Sequence, residues 1–178
     1  TRVSVFFNLV PYLCKKWSLP TKTSCSMLKE SLSIVYMGTP DFAVAPLKAL
    51  VEGGYRVVGV VTMPDKPAGR GMQLQSSPVK DYALSQGLPL LQPEKLKDPT
   101  FLQALQALQA DLFIVVAFRM LPEVVWSMPR FGTFNLHASL LPQYRGATPI
   151  HWAVIHDETE TGETTCLWDR TIQTGVIF

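Results

Sequence analysis

Two polar side chains, Asn135 and His137, stand two residues apart in the run GTFNLH, whose pattern predicts a β-strand. Alternate side chains of a strand point to the same face, so the amide and the imidazole can converge on one ligand atom. Such a pair could stabilise an oxyanion. A less specific interpretation is that a histidine at a strand end only caps a loop carbonyl. The next stretch, ASLLPQYRGATP, holds prolines and a glycine that fix one irregular path beside His137, which favours a positioned site.

The elements that must position this pair alternate between strand and helix. SIVYM predicts a strand, FAVAPLKALVEGG a helix and YRVVGVVT a buried strand, and helices are also predicted in VKDYALSQG and IHWAVIH. DPTFLQALQALQA predicts a helix with Asp98 as its N-cap and Pro99 in its first turn. DLFIVVAF, the most hydrophobic strand, should lie centrally, and GTFNLH, ETTCLWD and GVIF predict further strands. This order favours an open, mostly parallel α/β sheet with helices on both faces.

Ligands of such sheets bind beyond the carboxyl ends of the strands. Polar residues follow two strands there: FRML comes after the central strand, and Asn135 with His137 ends the next one. A dinucleotide fingerprint is not encoded, because GTPDFA lacks the GxGxxG spacing. The carboxyl edge is therefore where the sequence predicts a site.

Composition sets broad limits on the protein. With 178 residues, 47% of them hydrophobic, the chain can bury one ordinary core. The net charge of +2 is too mild to indicate a concentrated nucleic-acid surface. Cys14, Cys25 and Cys166 form no CxxC pair, so the sequence predicts neither a disulfide framework nor a metal site, and a reducing cytoplasm is expected.

Residues 1–30 are interpreted as an N-terminal extension. The segment carries four basic residues, several hydroxyls and no acidic residue before Met27, which is typical of an organellar presequence. If residues 1–26 are such a presequence, the organellar matrix replaces the cytoplasm as the expected compartment. The alternative is that Met27 is the natural start and the preceding residues are upstream sequence. The apolar run from Val3 to Leu13 is too short to span a bilayer.

The string NLHASLLPQYRG closely resembles the signature of the 10-formyltetrahydrofolate-dependent formyltransferases. MGTPDFAV, VVTMPDKPAGRG, SPVKDYA, LLQPEKLKD, VAFRMLP and GATPIHWAVIHDETETG resemble blocks of the methionyl-tRNA branch of that family. The resemblance implies a Rossmann-like formyltransferase domain over residues 31–178, incomplete at its carboxyl end and without the β-rich tRNA-binding domain. It also implies that a monomer moves a formyl group from 10-formyltetrahydrofolate to methionyl-initiator tRNA, with no metal and no membrane.

The resemblance also implies roles for individual residues. Asn135 holds the formyl oxygen and His137 assists proton movement as the amine attacks. In the family an Asp orients the His, but the matching segment TIQTG carries Gln173 at that position. A Gln can hold an imidazole but adds no negative charge, so activity should fall. Asp169 is a possible substitute, although nothing in the sequence brings it to His137.

Two further sets of residues are expected to bind the substrates. The loop PDKPAGRGMQLQ is expected to contact the acceptor stem of tRNA through Lys66 and Arg70, unless it is only a solvated loop. The alternative for the folate set is that Phe118, Met120 and Leu121 simply pack under the sheet. The residues expected to bind folate are Phe118, Arg119, Met120, Leu121, Ser139, Leu140, Leu141 and Pro142.

Two other functions stay open. A formyltransferase acting on an amino sugar or another small amine would share NLH and SLLP and differ mainly before residue 76, where KPAGRG argues against it. Gln173 also fits a catalytically impaired folate-binding module.

Overall fold

A six-stranded sheet forms the centre of the computed structural model, which describes residues 31–68, 73–144, 146 and 149–168. The strands are β1 (Ser33–Gly38), β2 (Arg56–Val61), β3 (Lys66–Ala68), β4 (Gln73–Gln75), β5 (Leu90–Leu91), β6 (Leu112–Val116), β7 (Thr133–His137) and β8 (Thr164–Leu167). The helices are α1 (Val44–Glu52), α2 (Pro78–Ser85), α3 (Pro99–Ala107), α4 (Glu123–Trp126) and α5 (Pro149–Ile155). A 3-10 turn at Asp41–Ala43 leads into α1.

The sheet has the order β5-β2-β1-β6-β7-β8. Its first five strands pair in parallel, and β8 runs antiparallel to β7 at the edge. The predicted open, mostly parallel sheet is confirmed. Strand β6 is buried along its whole length between β1 and β7, as its continuous apolar sequence predicted.

Apolar side chains pack on both faces of the sheet. Tyr36 and Ile114 belong to a buried cluster on one face, together with residues of α1 and α2. Met37 and Phe113 belong to a second cluster on the other face, which includes residues of α3 and α4. Because side chains alternate along a strand, β1, β2, β5 and β6 contribute to both clusters, whereas β7 contributes Phe134 and Leu136 to the first cluster alone. The two clusters explain why the strands are almost continuously hydrophobic.

Two of the described helices, α2 and α3, begin at residues whose side chains cap them. The Asp98 carboxylate accepts from the Thr100 N–H at 2.8 Å, and Pro99 occupies the first turn of α3, as predicted. The Ser77 hydroxyl caps α2 in the same way, accepting from the Lys80 N–H at 3.1 Å. These local bonds satisfy backbone N–H groups that have no partner inside the helix.

One stretch differs from its predicted form. The segment PDKPAGRGMQLQ, residues 64–75, was expected to be a loop, but β3 and β4 pair there as an antiparallel hairpin, with Lys66 opposite Gln75. Pro67 and the nearby glycines are typical of loops, and a short two-stranded ribbon tolerates a proline at its edge. The predicted strand GVIF lies outside the described residues, whereas ETTCLWD contains β8.

Candidate active site

Asn135 and His137 lie on the same side of β7 at its carboxyl end. Phe134 and Leu136 point into the cluster that contains Tyr36, so the alternation turns the other two to the opposite face. Both side chains are largely buried, with exposed fractions of 7% for Asn135 and 5% for His137. An amide and an imidazole therefore share one sheltered face at the edge where open α/β sheets bind ligands.

The imidazole of His137 contacts its own following loop. Its Nε2 lies 2.9 Å from the carbonyl oxygen of Tyr144. Since a carbonyl only accepts, Nε2 carries the hydrogen and donates. Tyr144 has a φ of 52°, a left-handed conformation that a tyrosine rarely adopts. Its phenol donates to the carboxylate of Glu158, and this bond raises the pKa of the Tyr144 phenol above its ordinary value.

The loop between His137 and Tyr144 is closed by its own hydrogen bonds. The Ser139 hydroxyl donates to the Gln143 carbonyl at 2.7 Å, and the Gln143 N–H donates to the Leu140 carbonyl at 3.1 Å. Ser139 is buried, while Leu140 and Pro142 are exposed and Leu141 is half-buried. Of the residues expected to bind folate here, Leu140 and Pro142 thus present the most surface, and Ser139 shapes the loop.

The segment FRMLP follows β6 at the same edge of the sheet. Ala117 turns the chain with a φ of 46°, and Met120 then stands 57% exposed, whereas Leu121 is buried in the core below. The Arg119 guanidinium donates to the carbonyls of Pro93 and Glu94 at 2.5 and 2.8 Å. Its partial burial lowers the pKa of Arg119 from the ordinary value. Arg119 therefore joins this loop to the segment after β5.

The packing of these residues separates them into two groups. Leu121 belongs to the second hydrophobic cluster, and the half-buried Phe118 packs against it. These two residues therefore follow the alternative in which they only pack under the sheet. Met120 and Leu140 expose large apolar side chains beyond the ends of adjacent parallel strands. Exposed apolar groups beside backbone amides suit the face of a flat heterocycle.

The hairpin that contains Lys66 is anchored at its base. The carboxylate of Asp65 contacts Lys80 Nζ of α2 at 2.5 Å and accepts from Gln92 Nε2 at 2.9 Å. Both hydrogen bonds lower the pKa of Asp65, with the bond from Lys80 the larger cause. The Gln92 amide also donates to the Met63 carbonyl at 3.1 Å. Lys66 is exposed, and Arg70 lies outside the described residues.

Gln173 and Asp169, the residue at the expected Asp position and its possible substitute, also lie outside the described residues. Glu163 is a nearby carboxylate, but the alternation of β8 places it with Thr165 on the face away from His137. Its partial burial raises the pKa of Glu163. The pKa of Tyr36, which belongs to the opposite cluster, is raised mainly by the burial of that phenol and further by the charge of Glu163. Glu163 therefore does not replace an Asp beside His137.

The sequence analysis did not identify Thr164, which lies opposite His137 in the register of β7 and β8. Its hydroxyl donates to the Ser139 carbonyl at 2.6 Å and accepts from the Leu141 N–H at 3.0 Å. No sequence pattern marks this residue, because its partners come from strand register across more than twenty residues.

Neither a metal cluster nor a membrane span is found in the part of the chain that the structure describes. No three His, Cys, Asp or Glu side chains come together there as metal ligands. The described helices are all too short or too polar to cross a bilayer.

A mostly parallel sheet with an amide and an imidazole at its carboxyl edge, and a closed loop beyond them, is an arrangement that suits acyl transfer. The formyl transferase family model matches residues 32–178, and the chain belongs to that family. The solved structures that it resembles include a phosphoribosylglycinamide formyltransferase from Streptococcus pneumoniae, with a TM-score of 0.66 and 17% identity, covering 83% of this chain and 79% of that one. A glycinamide ribonucleotide transformylase from Geobacillus kaustophilus gives 0.64 and 21%, with the same coverage. At such identities these likenesses concern the fold alone.

Sequence relatives are much closer. The chain is 73% identical over 152 residues to a methionyl-tRNA formyltransferase of Bacteroides thetaiotaomicron, and 60% identical over 149 residues to one of Flavobacterium johnsoniae. These matches cover 85% and 84% of this chain but 47% of each relative. The chain thus spans about half the length of the curated relatives that it matches.

Proposed function

We propose that this chain transfers a formyl group from 10-formyltetrahydrofolate to the α-amino group of methionyl-initiator tRNA. The observation that carries the proposal is the shared, sheltered face of Asn135 and His137 at the carboxyl end of β7. The names of relatives at 60% to 73% identity support the same acceptor.

In the proposed reaction, the α-amino nitrogen attacks the formyl carbon and forms a new C–N bond. The resulting tetrahedral oxyanion accepts a hydrogen bond from the side-chain amide of Asn135. His137 takes the amine proton and returns it to N10 as the bond between the formyl carbon and N10 breaks. The products are formylmethionyl-tRNA and tetrahydrofolate, so atoms and charges balance.

Folate is proposed to lie against two loops at this edge. The exposed Met120 and Leu140 would cover its ring, and half-buried Leu141 and exposed Pro142 would extend that surface. Phe118, Arg119, Leu121 and Ser139 would act from beneath, by holding the loops in place. The backbone groups of both loops would read the polar edge of the pterin.

Transfer RNA is proposed to meet the hairpin of β3 and β4, where Lys66 is exposed and Arg70 follows in the sequence. A basic side chain there gains from phosphate contacts. In this proposal residues 31–178 form the catalytic domain, and a β-rich domain of the longer protein adds basic surface for tRNA.

The test is a formyl-transfer assay with methionyl-tRNA and 10-formyltetrahydrofolate. Gln173→Asp restores a charged partner for His137 and should raise kcat. In Ser–His–Asp proteases the opposite change costs about 10⁴-fold, which is a ceiling for the gain. Gln103→Asp adds the same charge on an exposed position of α3 and should leave kcat unchanged.

Gln173 is the observation that favours a second candidate function, a non-catalytic folate-binding module. The same assay distinguishes it from the proposed transferase. If tetrahydrofolate binds but neither the parent chain nor Gln173→Asp turns over, the chain is a folate-binding module. Faster formylation of an amino sugar than of methionyl-tRNA would instead identify a small-amine enzyme.

A further inference from the structure

The hydroxyl of Thr164 joins β8 to the loop that follows His137. Thr164 is buried, with an exposed fraction of 6%, and is the register partner of His137. Its oxygen donates to the Ser139 carbonyl at 2.6 Å and accepts from the Leu141 N–H at 3.0 Å. One side chain therefore holds two backbone groups of the loop, using its donor and its acceptor at once.

Hydrogen bonds continue from this point to the imidazole. The side chain of Ser139 donates to the Gln143 carbonyl at 2.7 Å, which fixes the position of the next residue, Tyr144. The Tyr144 carbonyl in turn accepts from His137 Nε2 at 2.9 Å. The orientation of the imidazole thus depends on a loop whose first half is held by Thr164.

We propose that Thr164 is a positioning residue for formyl transfer: its hydroxyl sets the loop of residues 139–144 and, through the Tyr144 carbonyl, the orientation of His137. The inference rests on the proposed function. A serine would keep both hydrogen bonds, whereas a valine of the same shape would keep neither and would leave the buried Ser139 carbonyl without its donor.

The chain offers a matched control in Thr165. Its hydroxyl is buried but has no hydrogen-bond partner within the described residues, and it lies on the other face of β8. Thr165→Val removes a hydroxyl one residue away without breaking a bond of the loop. Any effect that comes merely from changing a threonine of β8 should appear in both valine variants.

Steady-state kinetics test the proposal in the 178-residue chain. Thr164→Val should lower kcat roughly tenfold to hundredfold, because a small displacement of a catalytic group costs this much. The KM for methionyl-tRNA should stay the same, Thr164→Ser should retain most of the parent kcat, and Thr165→Val should match the parent chain.

Equal losses of kcat in Thr164→Ser and Thr164→Val, or a parental kcat in Thr164→Val, would overturn the proposal. Should Thr164→Val not fold, Thr164→Cys replaces it with the same expectations, since a thiol is only a weak donor.

Hydrogen exchange of the Leu141 amide separates this inference from the proposed function. Exchange needs no substrate, and it should be faster in Thr164→Val than in Thr165→Val. An unchanged exchange rate contradicts the contact. If no form of the chain transfers formyl groups, the proposed function fails. In that case the dissociation constant of tetrahydrofolate tests whether Thr164 positions the loop, because Leu141 belongs to the proposed folate surface. A weaker affinity in Thr164→Val but not in Thr165→Val supports the positioning role. An affinity that is equal in the two variants overturns it.

Discussion

The side chain of His137 is held from one end by its own loop. Because Nε2 donates to the Tyr144 carbonyl, the ring cannot rotate without breaking that bond. The hydrogen bond that any strand-end histidine could make to a loop carbonyl is therefore present, and the proposed catalytic role is compatible with it because the bond fixes the orientation of the ring.

Asn135 offers a direct test of the oxyanion role. Asn135→Ala removes the amide donor and should lower kcat by about 10²- to 10³-fold, as loss of one such donor typically does. The tetrahydrofolate dissociation constant should not change, because the amide meets the oxygen only as negative charge develops. Stopped-flow transfer assays and titration with tetrahydrofolate measure the two quantities. An unchanged kcat in a folded variant would remove Asn135 from the mechanism.

The residues of the site differ in how far the sequence could predict them. Asn135 and His137 follow from the two-residue period of a strand, which is a local property. Thr164 depends on the register of an antiparallel pair whose members are far apart in sequence. The burial of Leu121 beside an exposed Met120 depends on a turn at Ala117, and its positive φ has no glycine to indicate it.

Among the elements, the β3–β4 hairpin depends on bonds at its base. Asp65 links the end of β2 to α2 through Lys80 and to the segment after β5 through Gln92. Three separate parts of the chain therefore meet at one carboxylate, whose charged form the two bonds favour. The position of Lys66, the next residue, follows from this contact.

This ion pair predicts a pH dependence of stability. The pKa of Asp65 is lowered in the folded chain. The contribution of its ion pair to the free energy of unfolding is therefore complete above the unfolded pKa of about 3.9, and it is lost as the pH falls through the folded pKa. Asp65→Asn should therefore lower Tm near neutral pH, and the difference from the parent chain should shrink below about pH 4. Thermal melts followed by circular dichroism measure Tm at each pH.

Glu52→Gln is the control: it breaks the exposed ion pair with Lys48 and should change Tm little. A Tm difference for Asp65→Asn that stays constant into acid would exclude the ion pair as its cause.

The parts of the sheet that could be predicted are those whose strands and helices have a clear local sequence pattern. The continuous apolar run of β6 predicted its central place, and Asp98 with Pro99 predicted the start of α3. The hairpin was missed, because a three-residue strand containing Pro67 has too little periodicity to distinguish it from a loop. The antiparallel direction of β8 likewise depends on where the chain returns to the sheet, which no local pattern records.

Taken as a whole, the chain carries a net charge of only +2 and spans about half the length of its curated relatives. With so little charge, binding to tRNA would depend on a few well-placed cations and not on a general positive field. The proposed cations are Lys66 of the hairpin and Arg70, which follows it in the sequence, so the salt dependence of the affinity should reflect these few contacts and respond to each of them separately.

Salt titration of tRNA binding tests this arrangement. Lys66→Ala and Arg70→Ala should each weaken binding of methionyl-tRNA and reduce the slope of log K against log salt by about one, because each removes one phosphate contact. Lys48→Ala, an equal loss of charge on the exposed face of α1, should leave the slope unchanged. Fluorescence anisotropy with labelled tRNA gives these slopes. If all three variants behave alike, the contact is a diffuse effect of net charge, and the hairpin has no specific part in holding the acceptor stem.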